Sequence, residues 1–297
     1  MSDLTYYEQP LVKQPVWVWS VPTYFYAGAA AGAALALGAV AQLSNLGSTE
    51  LVQRCRWMGL AGVGAGTGLL IYDLGKPSRF YNMLRVFRPT SPMSVGSWLL
   101  AATGSLAAMS VVSDKAAIPA GILGIPLSGY TGVLLANTTV PVWQTARKGL
   151  PVLFVASGMA SAGALFHLMD LPERDEAITR RFAIAGQAAE LAAMFVIERE
   201  VSRVDRVADP LKKGRSGFLW KAARTLGAAS LLLSLFSKKS RNAKIAAGIC
   251  GTAAALSLRF AVIQAGRDSA GDPHATLEQQ RRRELPGAEE GKLVGAS

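Results

Sequence analysis

Residues 69–84 read LLIYDLGKPSRFYNML. An apolar run beginning near residue 53 leads into them through GVGAGTG at 62–68. Asp73, Gly75, Lys76, Pro77 and Arg79 then arrive within seven positions. A helix needs about 20 apolar residues to cross the hydrocarbon core of a bilayer. The polar cluster marks where such a helix re-enters water. GVGAGTG does not match GxGxxG and follows no strand, so it reads as helix-packing glycine and not as a dinucleotide loop.

The same pattern recurs along the sequence. Apolar stretches near the crossing length lie at 20–44, 53–73, 93–113, 117–138, 150–169, 181–198, 218–237 and 244–265. The seventh is the least apolar, because Lys221 and Arg224 enter it early and must snorkel to the interface. Backbone groups in hydrocarbon must satisfy one another, which makes helices the default. The predicted fold class is therefore an all-α integral membrane protein with about eight transmembrane helices in two four-helix bundles. Its predicted divisions are an interfacial segment at 1–19, a first bundle at 20–138, a second at 139–266 and a polar, disordered tail at 267–297. The GxxxG pairs Gly28–Gly32, Gly62–Gly66 and Gly64–Gly68 are candidate helix contacts.

Composition agrees. Of 297 residues, 51% are apolar and only 17% charged, less charge than soluble domains carry. The net charge of +11 comes from basic residues between apolar runs, which favours membrane lipid over nucleic acid as the partner. The loops after the second, fourth and sixth stretches are the more basic. They hold Lys76, Arg79, Arg85 and Arg88, then Arg147 and Lys148, then a run from Arg199 to Arg215. The positive-inside rule places those loops and both termini in the cytoplasm, in a multi-pass protein of the cell's inner (plasma) membrane. The loop after the seventh stretch, with Lys238, Lys239, Arg241 and Lys244, runs against that bias. The N-terminus carries prolines and acids and has no basic region of a signal peptide.

Cys55 and Cys250 are too few for an iron–sulfur cluster, and His167 and His274 do not suit a bis-histidine haem. No metal site and no catalytic residue are predicted in this protein. The polar and aromatic residues instead gather at one end of four apolar stretches: QPVWVWSVPTYFYAG, the residue 69–84 cluster, TSPMSVGSW and LSGYTGVLLANTTVPVW. An apolar slot with hydrogen-bond donors and a proton-exchanging acid suits a lipophilic carbonyl compound such as a quinone. The candidate binding residues are Trp17, Trp19, Tyr24, Asp73, Ser94 and Tyr130. Lys76 or Arg79 offers Asp73 a cation. Each also has a plainer reading. The aromatics fit an interfacial belt, Asp73 a structural ion pair, Tyr130 a helix–helix contact, and Ser94 a helix start. A second polar set lies in the C-terminal half. Glu190 falls mid-span with Gln187 one turn away, and His167 precedes Asp170, so Glu190, Gln187 and His167 are candidates for a proton path. Arg259 either pairs with Glu190 or snorkels. A transporter or channel would instead require an inverted repeat and broken helices; no clear repeat is present, although Pro119, Pro126 and Pro141 interrupt the fourth stretch or its ends. A passive anchor would have no use for Tyr130.

DLGKPSRF at 73–80, SPMSVGSW at 91–98 and YTGVLL at 130–135, in this order, resemble the NrfD/PsrC-type polysulfide reductase membrane subunit family. The likeness is best over the first five stretches. It implies a subunit that binds menaquinone or ubiquinone and holds no haem or iron–sulfur cluster itself. It also implies electron exchange with a docked ferredoxin-like four-cluster iron–sulfur subunit serving a catalytic, often molybdopterin, subunit. Tyr130 matches the family's fourth-helix tyrosine and Asp73 its motif acid. The basic residues Lys76, Arg79, Arg85 and Arg88 would then face the docked partner. Family members often carry a histidine near the first span. This sequence has Trp17, Trp19 and Ser20 there.

Overall fold

The computed structural model describes residues 12–202, 205–236 and 240–272. Most of the predicted tail, His274 with it, and residues 1–11 of the N-terminal segment lie outside that range. Among the described residues there are eleven helices and no strand. Eight are long: α1 (Ser20–Ser44), α2 (Thr49–Leu74), α4 (Pro92–Val112), α5 (Asp114–Ala136), α7 (Gly149–His167), α8 (Glu173–Val201), α10 (Gly214–Phe236) and α11 (Arg241–Ala270). Three are short: α3 (Ser78–Arg85), α6 (Pro141–Thr145) and α9 (Asp205–Lys212). Five helices, α1, α4, α5, α7 and α11, are both long and apolar enough to cross a membrane. The helices α2, α8 and α10 have the length but carry more charge, such as Arg54 and Arg56 in α2 and Lys221 and Arg224 in α10. The last helix runs four residues past the predicted start of the tail at 267.

Helix ends follow local chemistry. Ser48 caps α2 by accepting from Leu51 N, and Ser91 caps α4 by accepting from Ser94 N, with Pro92 in the first turn. Pro119 and Pro126 lie inside α5, yet the helix is unbroken. The polar cluster within residues 69–84 is how α2 ends. Gly75 takes a positive φ of 70°, which a side chain would resist, and closes the helix by donating to the Tyr72 carbonyl. The Arg79 guanidinium donates to the Leu74 carbonyl at 3.0 Å, satisfying one of the last orphan acceptors. Pro77 then leads into α3.

The helices α1, α2, α4 and α5 pack together, as do α7, α8, α10 and α11. Helix α1 joins the groups, touching α2 and α5 on one side and α7 and α11 on the other. Lipid is as apolar as leucine, so close approach and dispersion drive this association more than hydrophobic burial does. The tightest backbone-to-backbone approach at a glycine is α1 on α5, where a Cβ on Gly32 would strike the Gly124 carbonyl and a Cβ on Gly124 the Gly32 carbonyl. On α2, Gly62 abuts α1 at Ala27 and Ala31. Gly64 and Gly68 meet nothing and face outward, two positions round the helix from the contact face. Of the three GxxxG pairs, Gly64–Gly68 therefore has no packing role among the described residues.

Gly124→Val must push α1 from α5, and overpacking of this kind costs about 1–3 kcal/mol. Thermal unfolding in mild detergent should show a clear fall in Tm for Gly124→Val and little change for Gly64→Ala.

Candidate functional site

A cavity of about 220 Å³ opens among α1, α2, α4 and α5, at the end where α2 finishes and α4 begins. Each helix gives one stripe of residues at helical spacing. From α1 and the turn before it come Trp17, Val21, Tyr24, Phe25 and Gly28; from α2, Gly66, Leu70, Asp73 and Leu74. Met93, Gly96, Ser97 and Leu100 come from α4, and Leu127, Tyr130, Thr131 and Leu134 from α5. Met83 of α3 closes one edge. The walls are mostly apolar, and the polar groups are few and on different helices.

Four of the six candidate residues, Trp17, Tyr24, Asp73 and Tyr130, meet at this cavity. Trp19 does not line it. Its side chain is 57% exposed and leans on Tyr72, with ring centroids 6.0 Å apart. Ser94 also lies outside the wall. Its hydroxyl donates to the Val86 carbonyl at 3.2 Å and accepts from Arg88 N at 3.0 Å, fixing the turn between α3 and α4.

Each polar wall residue has a distinct setting. Asp73 accepts from the buried Ser20 hydroxyl at 3.0 Å and makes no ion pair with Lys76 or Arg79 among the described residues. One carboxylate oxygen is thus held by α1, while the other has no hydrogen-bond partner among the described residues. Tyr130 donates its hydroxyl to the Pro92 carbonyl, and its ring lies where a Cβ on Gly96 would be. Its donor is already used, so only its oxygen lone pairs can meet a ligand. Tyr24 is different, since its hydroxyl has no protein partner among the described residues. The Thr131 hydroxyl is buried, lines the cavity and lacks a partner among the described residues. Ser20, Ser97 and Thr131 were missed as site residues in the sequence. The i, i+4, i+7 stripe Leu127–Thr131–Leu134 carries the signal for Thr131.

Trp17 is held from the other side of the molecule. It stacks on the buried Trp143 at 5.7 Å, and Trp143 donates to the Val262 carbonyl at 2.9 Å. The wall of the cavity is thereby tied to α11. Outside the cavity, Lys76, Arg79, Arg85 and Arg88 are all exposed and form no ion pair among the described residues. They make a basic rim around α3.

The second polar set is split. His167 meets the Ser234 hydroxyl at 3.1 Å, Ser234 meets Gln187 Oε1 at 3.3 Å, and Gln187 donates to Ser230 at 2.6 Å. Glu190 does not join this relay. It faces Ser157 and Arg259, and Arg259 is fully buried rather than snorkelling.

These features define a multi-pass helical membrane protein with an apolar cavity edged by a few polar groups. The protein belongs to the NrfD/PsrC polysulfide reductase membrane subunit family, whose model, NrfD_2 (polysulfide reductase), matches residues 4–271. The C subunit of polysulfide reductase from Wolinella succinogenes is 29% identical over 185 residues, which cover 52% of the present sequence and 57% of that protein. The match thus spans little more than half the length of that relative.

Tyr130→Phe removes one hydrogen bond, and the expected loss in unfolding free energy is about 1 kcal/mol. Gly96→Val should cost more, because the ring must leave its seat. Chemical denaturation in detergent would rank the two, and equal losses would refute the seating of Tyr130 on Gly96.

Proposed function

We propose that this protein is the quinone-binding membrane subunit of a multi-subunit oxidoreductase. Electrons pass between a docked iron–sulfur subunit and the membrane quinone pool. In this reading α2, α8 and α10 also cross the bilayer, giving eight crossings in two four-helix bundles at 20–138 and 139–266. The basic loops and both termini face the cytoplasm across the inner membrane.

The observation that carries the reading is the cavity. Its flat, aromatic and aliphatic walls suit a quinone ring. The free Tyr24 hydroxyl and the unpartnered Thr131 hydroxyl can donate to carbonyl oxygens. A bound menaquinone or ubiquinone would supply two-electron, two-proton carrier chemistry. Asp73 stands where a proton must enter or leave, at the aqueous end of α2, with Ser20 fixing its orientation. Ser97 and Tyr130 shape the wall by hydrogen bonds to the backbone. Trp17 closes the wall from the turn before α1. A histidine near α1 is not required for this donor set.

The unpaired cations Lys76, Arg79, Arg85 and Arg88 lie beside the same end of the cavity and suit an acidic docking surface. They would seat the ferredoxin-like four-cluster subunit and, beyond it, a catalytic subunit of the molybdopterin type. That position keeps the electron path into the cavity short. The His167–Ser234–Gln187 chain supports a proton path from the opposite membrane face, and Glu190, one turn from Gln187, stands outside that chain beside Ser157 and Arg259.

Purification of the tagged protein from its host in mild detergent should bring a quinone and an iron–sulfur protein. Neither would be found if the protein were a transporter. Tyr24→Phe and Asp73→Asn should each lower quinone-linked electron transfer by about tenfold or more, the range for lost general acid–base or charged hydrogen-bonding groups, while assembly is unchanged. Unaltered turnover in both variants would assign the cavity no role. Arg85→Glu with Arg88→Glu should release the iron–sulfur partner on purification but leave the bound quinone. Retention of the partner would place docking elsewhere.

A further inference from the structure

A second cavity, of about 210 Å³, lies where α8 ends and α10 begins, with α9 along one side. Ala208 and Leu211 of α9 and Trp220 of α10 give it apolar walls. All three are also buried members of the main core cluster, so those walls are fixed. Its polar groups are Glu198 of α8, Lys212 of α9, and Lys221 and Arg224 of α10, with Ser202 just past the end of α8.

Glu198 is already engaged. It accepts from the Trp220 indole N–H, and the Arg224 guanidinium donates to both of its oxygens at 3.1 Å. Lys212 and Lys221 are exposed and make no ion pair among the described residues. Three cations thus face one carboxylate, and the excess positive charge rests on the two ammonium groups. Lys221 stands seven residues inside α10, about 10 Å along its axis at 1.5 Å per residue. A cation at that depth in a crossing helix is costly unless its stem reaches back to the surface or its head meets an anion. With Glu198 held by Arg224 and Trp220, the pocket has no carboxylate left for it. Below the pocket the surface turns apolar. Leu232 follows Lys221 by eleven residues, which at 100° per residue returns it to the same face of α10, and it is 57% exposed. Phe195 precedes Glu198 by three residues on α8 and is 64% exposed.

We propose that this pocket holds the phosphodiester headgroup of an anionic phospholipid, with Lys212 and Lys221 on the phosphate and the acyl chains over Phe195 and Leu232. Basic pockets between membrane helices on the cytoplasmic side suit such headgroups. The inference rests on the topology proposed above, in which α10 crosses the bilayer and the segment between α8 and α10 faces the cytoplasm. A zwitterionic lipid fits less well, since its own cation meets those of the pocket. A lipid seated here supplies Lys221 with the counter-charge that the protein does not.

Native mass spectrometry of the full-length protein, stripped of lipid in detergent and then given phosphatidylglycerol, tests the site. Lys212→Gln with Lys221→Gln should retain phosphatidylglycerol several-fold less than the unaltered protein. Arg147→Gln with Lys148→Gln removes the same charge from another exposed basic loop and should retain it fully. Equal loss in the two pairs, or phosphatidylcholine retained as well as phosphatidylglycerol, overturns the proposal. Inorganic phosphate, at an ionic strength matched with chloride, should leave the lipid in place. Displacement by it would assign the pocket to a soluble anion instead. The crossing of α10 is read separately. Thr225 is exposed at mid-helix, so Thr225→Cys in a Cys250→Ser background should resist a water-soluble maleimide in proteoliposomes, Cys55 being buried. Rapid labelling would remove the crossing and the lipid site with it. Protection without retained phosphatidylglycerol would remove the site alone.

Discussion

The contact on which the rest depends is the approach of α1 to α5 at Gly32 and Gly124. Without side chains at these two positions, the helices come close enough for carbonyls to occupy the space of a Cβ. That approach puts α1 at the centre, in touch with helices of both groups. Several of the features described above use α1. Ser20 bonds Asp73, Tyr24 lines the cavity, Phe25 packs edge-on against Phe154 of α7, and Tyr26 lies beside Thr252 of α11. Consecutive residues of a helix point about 100° apart. A run such as Tyr24–Phe25–Tyr26 can therefore serve three environments only if the helix is surrounded on all sides.

Much of this was legible in the sequence because membrane helices announce themselves by length and composition. The eight apolar stretches fall on the eight long helices, and Asp73, Tyr24, Tyr130 and Trp17 fall on one cavity. What the sequence obscured was rotation about each helix axis. Trp17 and Trp19 are two residues apart and point different ways, one stacked on Trp143 and one in the open. Ser94 and Ser97 are one turn apart, and only Ser97 reaches the wall, while Ser94 is committed to the turn before it. Gly64 and Gly68 have the spacing of a packing pair but the wrong azimuth. In water, amphipathicity reveals azimuth. In hydrocarbon both faces are apolar, so that signal is lost.

The pairing of charges was equally hidden. Asp73 stands three residues from Lys76 and six from Arg79, and sequence proximity favours an ion pair. The backbone reverses at Gly75, however, and Arg79 turns back to the Leu74 carbonyl. The acid is left to a serine from a distant helix. This matters for chemistry, because a carboxylate locked to a guanidinium gives up its proton-exchanging role, whereas one held by a single hydroxyl keeps an oxygen for a ligand. The cations released from that duty remain on the surface as a basic rim.

Two polar regions in one membrane bundle pose an energetic problem, since each desolvated group must be returned some interaction. The protein solves it differently in the two places. Around the cavity the fixed groups are bonded to backbone or to each other, as with Tyr130 to Pro92 and Ser20 to Asp73, while the Tyr24 and Thr131 hydroxyls and one Asp73 oxygen have no partner among the described residues. Around Glu190 and Arg259 the buried groups answer one another: Glu190 lies beside Ser157 and faces Arg259, and Arg259 stacks on Phe154 and bonds its carbonyl. Opposite charges on α8 and α11 return to each other part of what desolvation takes from both. The aromatic pair Phe25 and Phe154 packs α1 against α7, the contact through which the first helix group meets the second.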